Sequence, residues 1–375
     1  MENKRSICEC FVGGDFIYGG MEEFIICMLA KFSNPQLKYT LFVPGHIYNK
    51  KINGLENKSL DVVAWNMNYH SSLLGKIRLF SAYKKFFQKT HFEVVHIHGA
   101  NIIDLALAVL AAKKSGVKQV IVHSHNTAIS NLKNKIKRKI CIRIFKKHVN
   151  KYLACSKAAA EWMFPNKIIS NNEFQIINNG INLDSFTFNP KIREQYRNDF
   201  KLTNEFVLCN VGRFHSQKNH EFLIEIAKIL NEKQFNYKFI LVGDGPLKSE
   251  IIKKIDEYGL QEKFIFLEKR NDISQIMMAS DAFVMPSRFE GLPVTLIEAQ
   301  ATGLKVFASE TITTEVGITD LIKFVPITDP NVWAEEIMNY NQHIKREQYA
   351  EIVAKAGYSA EASAKLLENI YLGNQ

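Results

Sequence analysis

The chain has 375 residues, 46% hydrophobic and 23% charged, a balance that excludes disordered, fibrous and collagen-like classes. That length exceeds one ordinary core and suits two domains. Net charge is +10, from 48 basic against 38 acidic side chains, and it is unevenly spread.

Taken from its start, the chain shows no cationic, apolar, small-residue leader. Glu2, Lys4 and Arg5 run directly into strand-like residues, so the expectation is a cytoplasmic protein. Short apolar runs then alternate with helical patterns, as in a doubly wound parallel sheet. Strands are expected at Ser6–Val12, Tyr39–Val43, Val62–Trp65, Val94–Ile97, Gln119–Val122, Tyr152–Ala154 and Phe174–Ile177. Helices fit at Met21–Phe32, Leu74–Phe87, Asp104–Lys114 and Asn134–His148. The longest apolar stretch, Ile102 to Ala112, contains Asp104 and is too short to span a bilayer. Asn179 to Asn198, with Gly180, Pro190 and several Asn, reads as the interdomain connection. A second series follows, with strands at Phe206–Val211, Lys238–Val242, Phe264–Leu267, Ala282–Met285 and Lys305–Ala308. Its helices fit at Asn219–Leu230, Lys248–Tyr258, Ile273–Ala279 and Thr295–Thr302, and the tail from Asp329 is helical in pattern. The six cysteines show neither zinc-ligand pairs nor a disulfide framework and read as buried thiols.

Between Asn131 and Lys151 there are nine basic residues and no acid. Ile136, Ile140, Ile144 and Phe145 recur there at helical spacing, giving a basic amphipathic helix. It suits either an anionic membrane surface or a solvated face over an apolar stripe packed on the sheet. No nucleic-acid reading module accompanies the charge, so nucleic acid is not an expected partner.

Several strand ends carry residues suited to chemistry. Gly13, Gly14, Gly19 and Gly20 follow the first strand, where backbone approaches a ligand closely and a helix offers free N–H groups. The pattern is not G-x-G-x-x-G, which weakens a dinucleotide reading. Val95-His96-Ile97-His98-Gly99 and Val122-His123-Ser124-His125-Asn126 place histidines at strand carboxyl ends, on the side where such sheets bind ligands. Asn178-Asn179-Gly180-Ile181-Asn182 is read as backbone geometry at a hinge. Val211-Gly212-Arg213-Phe214-His215-Ser216-Gln217-Lys218-Asn219 delivers a forked cation and a mobile one to a helix start, a combination that holds a diphosphate. Gly243 and Gly245 make another tight strand-to-helix turn, and Arg270 follows the next strand. Then comes Ser280 to Gly303, a buried strand, a turn with Glu290, Gly291 and Leu292, and a helix carrying Glu298 and ended by Gly303. Two carboxylates there suit the hydroxyls of a sugar and a ribose. No D-x-D triplet and no His/Asp cluster of catalytic metal spacing occurs, so no metal and no cofactor are expected.

The stretch F-V-M-P-S-R-F-E-G-L-P-V-T-L-I-E-A resembles the donor-site motif of the retaining glycosyltransferases of the GT-B fold, family 4 in particular. G-R-F-x-x-x-K-N and G-D-G-P agree with it, and H-S-H-N, Q-K-N-H and E-A-Q-A-T-G look most like bacterial surface-polysaccharide members. The resemblance implies an α/β chain of two Rossmann-like domains facing across a cleft. An acceptor-side domain is expected over 1–184, a nucleotide-sugar-binding domain over 185–355, and a terminal helix over 356–375 that returns to the first. It implies that Arg213 and Lys218 neutralise the diphosphate, Glu290 holds the donor sugar, and Glu298 the ribose. Gly19, Gly20, Gly212, Gly243, Arg270, Gly291 and Leu292 would line the donor, with the base met partly by backbone near Arg270. His125 would sit beside the reacting sugar, with His123 and His98 behind it as further acceptor-side candidates. Glu315 stands at the distance of a further acid, but Thr313 and Thr314 replace the usual glycines before it. The implied reaction is retaining and metal-independent, from a nucleotide sugar (UDP-linked for choice) to a glycan or lipid-linked glycan, with the basic helix docking on an inner membrane face.

A nucleotide-sugar epimerase of the same two-domain shape is a second reading, since fold alone does not separate the two. A non-catalytic membrane- or partner-binding homologue is a third, and a nicotinamide dehydrogenase without its fingerprint a fourth.

Overall fold

The computed structural model describes residues 4–17, 19–55, 60–68, 72–99, 101–125, 135–340 and 344–374. Its first series of elements is β1 (Arg5–Val12), α1 (Gly20–Lys31), β2 (Leu37–Val43), β3 (Leu60–Ala64), α2 (Leu73–Thr90), β4 (Val94–Gly99) and α3 (Ile102–Lys114). It continues with β5 (Gln119–Ser124), α4 (Lys135–His148), β6 (Lys151–Ala154), α5 (Lys157–Met163), α6 (Asn166–Ser170) and β7 (Gln175–Ile176). The second series is α7 (Leu183–Phe186), α8 (Pro190–Asp199), β8 (Phe206–Val211), α9 (His220–Glu232), β9 (Tyr237–Val242), α10 (Lys248–Glu257), β10 (Phe264–Leu267) and α11 (Ile273–Ala279). Then follow β11 (Ala282–Met285), α12 (Val294–Ala301), β12 (Lys305–Ser309), β13 (Ile322–Val325), α13 (Pro330–Met338), α14 (Tyr349–Val353) and α15 (Ala360–Leu372). The contacts divide into one unit of residues 1–180 with 360–375 and another of 181–359. These limits fall four residues before the expected 184/185 boundary and four after the expected 355/356 one.

Each unit is an all-parallel sheet covered on both faces. The first runs β3-β2-β1-β4-β5-β6-β7 and the second β10-β9-β8-β11-β12-β13. Strand order reverses direction at β1/β4 in one sheet and at β8/β11 in the other, and ligands collect outside the carboxyl ends at such points. Burial on two faces explains why the central strands read as near-continuous apolar runs. In the first unit Cys8, Cys10, Val12, Val95, Ile97, Val120 and Val122 pack against Tyr83, Phe87, Val109 and Phe145 of α2, α3 and α4. On the opposite face, Ile7, Phe11, Val94 and Ile121 meet α1 and α15. Ala360, Ala364, Leu367 and Tyr371 recur at helical spacing along α15 and are all buried there. Five of the six thiols are buried, and Cys27 is half-buried.

The connection expected over 179–198 is partly helical. Asn189 accepts from the Lys191 and Ile192 N–H groups and Pro190 occupies the first turn, so residues read as breakers start α8 instead. Arg193 and Arg197 then carry α8 onto the second unit. Arg193 Nη2 meets Asp281 Oδ1 at 2.5 Å, Arg197 Nη1 meets Oδ2 at 3.3 Å, and the Val207 N–H donates to Oδ2 at 2.7 Å. Asp281 is thereby a buried carboxylate joining α8 to the amino ends of β8 and β11. Strand β13 was not expected, because four residues after a turn-rich stretch carry too little periodicity to read. Gly303 closes α12 at φ +67, and a Cβ there would lie 2.6 Å from the Arg346 Cα, so bulk and backbone both require glycine.

Removing the Asp281 carboxylate strands two arginines and one N–H. Asp281→Ala is expected to lower unfolding free energy by about 3 kcal/mol, the low end for a broken buried pair. Urea denaturation followed by far-UV circular dichroism checks this, and an unchanged midpoint would contradict the role given to Asp281.

Candidate active site

In the second unit, two loops flank the β8/β11 switch point and are joined to each other. The Arg288 N–H donates to the Gln217 carbonyl at 2.8 Å, and Gln217 Nε2 donates to the Phe289 carbonyl at 3.0 Å. Asn219, in the left-handed region at φ 55, donates to the Pro286 carbonyl at 3.2 Å and accepts from Arg288 Nη2 at 3.2 Å. Asparagine is among the side chains that tolerate that backbone. These bonds bring Lys218 Nζ to 2.7 Å from Glu290 Oε1, while Gln217 Nε2 reaches Oε2 at 3.2 Å. Among the described residues Oε1 has no aligned hydrogen-bond donor, so the Lys218 contact is an ion pair by proximity. Arg213, one residue past Gly212, is exposed.

The neighbouring turns pack on backbone. Gly243, at φ +147, has its α-carbon so close to the Gly212 carbonyl that a Cβ would lie 2.0 Å from that oxygen. A Cβ on Gly212 itself would meet the Lys218 side chain at 3.2 Å. Thus Gly212, Lys218, Gly243 and Glu290 are brought together, with Gly291 and Leu292 in the same loop as Glu290. Glu298 lies half-buried in the first turns of α12. Arg270 follows β10 at the same carboxyl edge, with its guanidinium in a two-point pair with Asp272 at 2.7 and 2.5 Å. Behind α12, buried Gln300 donates to the Leu296 and Val316 carbonyls and accepts from the Ile318 and Thr319 N–H groups, fixing the segment that carries Glu315.

In the first unit a polar island interrupts the apolar face beneath α1 and α15. Parallel register sets Glu9 of β1 opposite His96 of β4, and His98 opposite His123 of β5. Glu9 Oε2 meets His98 Nε2 at 2.7 Å, and Tyr371 of α15 donates to Oε1 at 2.6 Å. His96 Nδ1 lies 2.6 Å from the Tyr371 hydroxyl, His123 Nδ1 lies 3.2 Å from His96 Nε2, and His98 Nδ1 lies 2.9 Å from His125 Nε2. Phe24 packs its ring on His98, His123 and His125. Burial opposes ionisation of Glu9, but His96 and His98 outweigh it and hold the carboxyl well below the usual range. Burial, with repulsion from His96, pushes His98 down to about 4 against the pull of Glu9. Burial and neighbouring histidines likewise lower His123 and His125. Nitrogens of His96, His98 and His123 lie within 4.8 Å of one another, a spacing that a metal could bridge. In this arrangement, however, they are engaged in hydrogen bonds, except His123 Nε2, which has no partner among the described residues.

Strands β4 and β5 run two residues further than expected, so His98 and His123 are strand residues that are essentially inaccessible to solvent. His125 lies just past β5. Gly19 caps α1 and Gly20 opens it, and the carboxyl of Glu22 folds back so that a Cβ on Gly19 would meet Oε2 at 2.5 Å. Asn126, the end of the H-S-H-N motif, lies outside the described residues, as do Asn131–Asn134 of the basic segment and the side chains of Lys135 and Ile136. Along the rest of α4, Cys141 and Phe145 take the buried stripe, and Ile140 is 51% exposed instead of packing on the sheet.

The family description "Glycosyl transferases group 1" matches residues 192–356, and "Glycosyltransferase Family 4" matches residues 18–185. EpsF of Bacillus subtilis, which carries a glycosyltransferase name, is 32% identical over 288 residues, 75% of this chain and 74% of its own. The chain belongs to the GT-B glycosyltransferases of family 4. An Escherichia coli UDP-Gal:α-D-GlcNAc-diphosphoundecaprenol α-1,3-galactosyltransferase is 30% identical over 247 residues, 64% of this chain and 63% of that one. Among solved structures, HepE of Anabaena in complex with UDP superposes over 98% of this chain and 100% of its own, at TM-score 0.76 and 17% identity. That likeness shows the shared fold.

Two partners in this glycosyltransferase's histidine cluster were missed from the sequence, Glu9 and Tyr371. An acid inside the apolar run Ile7–Val12 was a usable signal, because a buried charge requires partners. Tyr371 gave none, since it is one of several large residues on a helical face.

The lowered histidines make stability depend on pH. Protons bind the unfolded chain near its ordinary value of about 6.5 but bind the folded chain only near 4 at His98 and, beside Lys218, at buried His220. Between these values the unfolded state holds more protons, so stability is expected to fall as pH drops from about 6.5 to 4. Each such group contributes about 1.4 kcal/mol per pH unit. Urea titrations at pH 7.5, 5.5 and 4.5 test this, and flat stability over that range would contradict the burial of neutral histidines.

Proposed function

We propose that the enzyme transfers a sugar, with retention at the anomeric carbon and without a metal, from a UDP-sugar to a lipid-linked glycan during bacterial surface-polysaccharide synthesis. The observation that carries this is the pairing of Lys218 with Glu290 at 2.7 Å across the β8/β11 switch point, with an exposed Arg213 in the same loop as Lys218. Arg213 and Lys218 would grip the diphosphate and stabilise the charge that builds on it as the sugar departs. Glu290 would hold donor-sugar hydroxyls and Glu298 the ribose. The acceptor attacks the face that the phosphate leaves, and the departing phosphate takes its proton, so no enzyme nucleophile is required. Relatives lend the substrate class: the E. coli enzyme is named for UDP-Gal and a diphosphoundecaprenol acceptor, a Campylobacter jejuni relative for a diphospho-undecaprenol acceptor, and HepE was solved with UDP-glucose.

Arg213→Ala and Lys218→Ala are each expected to lower kcat by about 10²–10³-fold, as for loss of one preorganised charge-stabilising donor. A chelator should leave the rate unchanged, and the product's anomeric configuration, read by NMR, should match the donor's. An inverted product would refute retention, and release of an epimerised donor without acceptor would favour the epimerase reading.

The same proposal places the enzyme at an anionic membrane surface through α4, whose exposed face carries Lys137, Lys139, Arg143, Lys146 and Lys147 around Ile140. Among the described residues no helix is long and apolar enough to cross a membrane. Cosedimentation with vesicles of anionic phospholipid should fall with rising salt and with Lys139→Glu/Lys146→Glu. Equal binding to neutral vesicles would remove the electrostatic dock.

A further inference from the structure

Glu9, the four histidines and Tyr371 form a branched hydrogen-bond chain with a definite direction. An ionised Glu9 only accepts, so the ring nitrogen facing it, His98 Nε2, carries hydrogen at 2.7 Å. A neutral His98 then has a bare Nδ1, which accepts from His125 Nε2 at 2.9 Å. A neutral His125 in turn has a bare Nδ1. On the other branch, Tyr371 donates to Glu9 and its oxygen accepts from His96 Nδ1 at 2.6 Å. With one ring hydrogen on His96, its Nε2 accepts from His123 Nδ1 at 3.2 Å, which leaves His123 Nε2 bare.

This ordering leaves two nitrogens without a donor, and both are buried and unpartnered among the described residues: His125 Nδ1 and His123 Nε2. No other ring nitrogen of the four lacks a partner there. Reversing either branch would leave a buried N–H unpaired, a rarer and costlier state than an unpaired acceptor. The two ends differ in place. Phe24 packs on both rings, but His123 is a fully buried strand residue, whereas His125 is half-buried and stands past the end of β5, at the edge where parallel sheets bind ligands.

We propose that Glu9 and His98 are positioning residues that lock His125 in the tautomer with hydrogen on Nε2 and a bare Nδ1, so that His125 meets the substrate as acceptor of a sugar hydroxyl's hydrogen. The proposal rests on the transferase reading for its substrate and not for its tautomer. The groups around the island are Glu9 on β1, Tyr39 on β2, His96 and His98 on β4, His123 on β5, and Glu368 and Tyr371 on α15. Glu368 is occupied elsewhere, accepting from the Ser33 and Asn34 N–H groups at 2.7 Å and from Tyr39 at 2.9 Å. Glu9 is thus the carboxylate that sets the direction of both branches.

The test is ¹⁵N NMR of the full-length protein with labelled histidine, assigned by loss of one signal pair in His125→Gln. His125 Nδ1 should give the shift of a bare ring nitrogen, and that shift should move when UDP-glucose or UDP-galactose is added with a lipid-linked acceptor. Glu9→Gln lets an amide N–H₂ turn toward His98, so the His125 signals should move toward a two-tautomer average. Its kcat should drop about 10- to 100-fold, by analogy with the carboxylates that orient metal-binding histidines, with the KM for donor unchanged. Tyr371→Phe breaks only the other branch and should lower stability while leaving His125 and kcat near native values. A hydrogen on His125 Nδ1 in the native protein overturns the proposal, as does a Glu9→Gln variant with native His125 signals and native kcat. A stoichiometric metal in the purified protein, by claiming these nitrogens, also overturns it. A correct tautomer in a protein that transfers no sugar from any nucleotide would sink the transferase reading and the hydroxyl role while leaving the positioning by Glu9 and His98 in place.

Discussion

All strands of a parallel sheet deliver their carboxyl ends to one edge, and most of this enzyme's chemistry is a consequence of that constraint. Residues far apart in sequence meet because their strands are neighbours. Lys218 follows β8 and Glu290 follows β11, and only the reversal of strand order between them sets the two loops side by side. The same geometry aligns Glu9 with His96 and His98 with His123 on the other sheet. In each sheet one such pair spans the two strands where the order changes direction, Lys218–Glu290 in loops at the carboxyl edge and Glu9–His96 buried within the strands.

The two clusters answer burial differently. Lys218 and Glu290 sit nearer the surface, with side chains 18% and 10% exposed, and each opposes the other's charge. Gln217 and the glycine turns fix their positions, and an ion pair this close to the surface adds little to stability. Glu9 has no such relief. A carboxylate at 3% exposure must be satisfied by protein groups, and it is: Tyr371 and His98 each donate to one of its oxygens. One buried charge therefore dictates the hydrogen placement on rings two bonds away. It also explains why α15 ends on the first sheet, since Tyr371 is one of its donors.

Much of this arrangement was legible in the sequence. Apolar runs alternating with helical periods gave twelve of the thirteen strands found among the described residues and the two-domain plan, because parallel sheets buried on both faces leave little else to write. The glycine turns and the cation and acid after particular strands were legible for a similar reason: at Gly243 backbone touches the Gly212 carbonyl, and no other residue fits there. What stayed hidden depends on pairing. Asn189 and Pro190 look like loop formers until the turn they begin is stapled by Arg193 and Arg197 to Asp281. Ile140 fits an apolar stripe by spacing, yet Cys141 takes the buried position beside it, since a helical period alone does not fix which of two adjacent residues faces inward.

The histidines show how far a local reading reaches. From residue type and spacing alone, His98, His123 and His125 are three imidazoles near strand ends, and only the family resemblance puts His125 first. Register tells them apart, because it puts His98 against a carboxylate, His123 against another histidine, and His125 at the end of a chain of donors. Acceptor or donor character at His125 is therefore not a property of that residue. It is set on β1, more than a hundred positions earlier, and transmitted by one intervening ring. A change at His125 and a change at Glu9 alter the same lone pair, one by removing it and the other by freeing the hydrogen that defines it. Sequence carries the identity of each ring, but the sheet carries its chemistry.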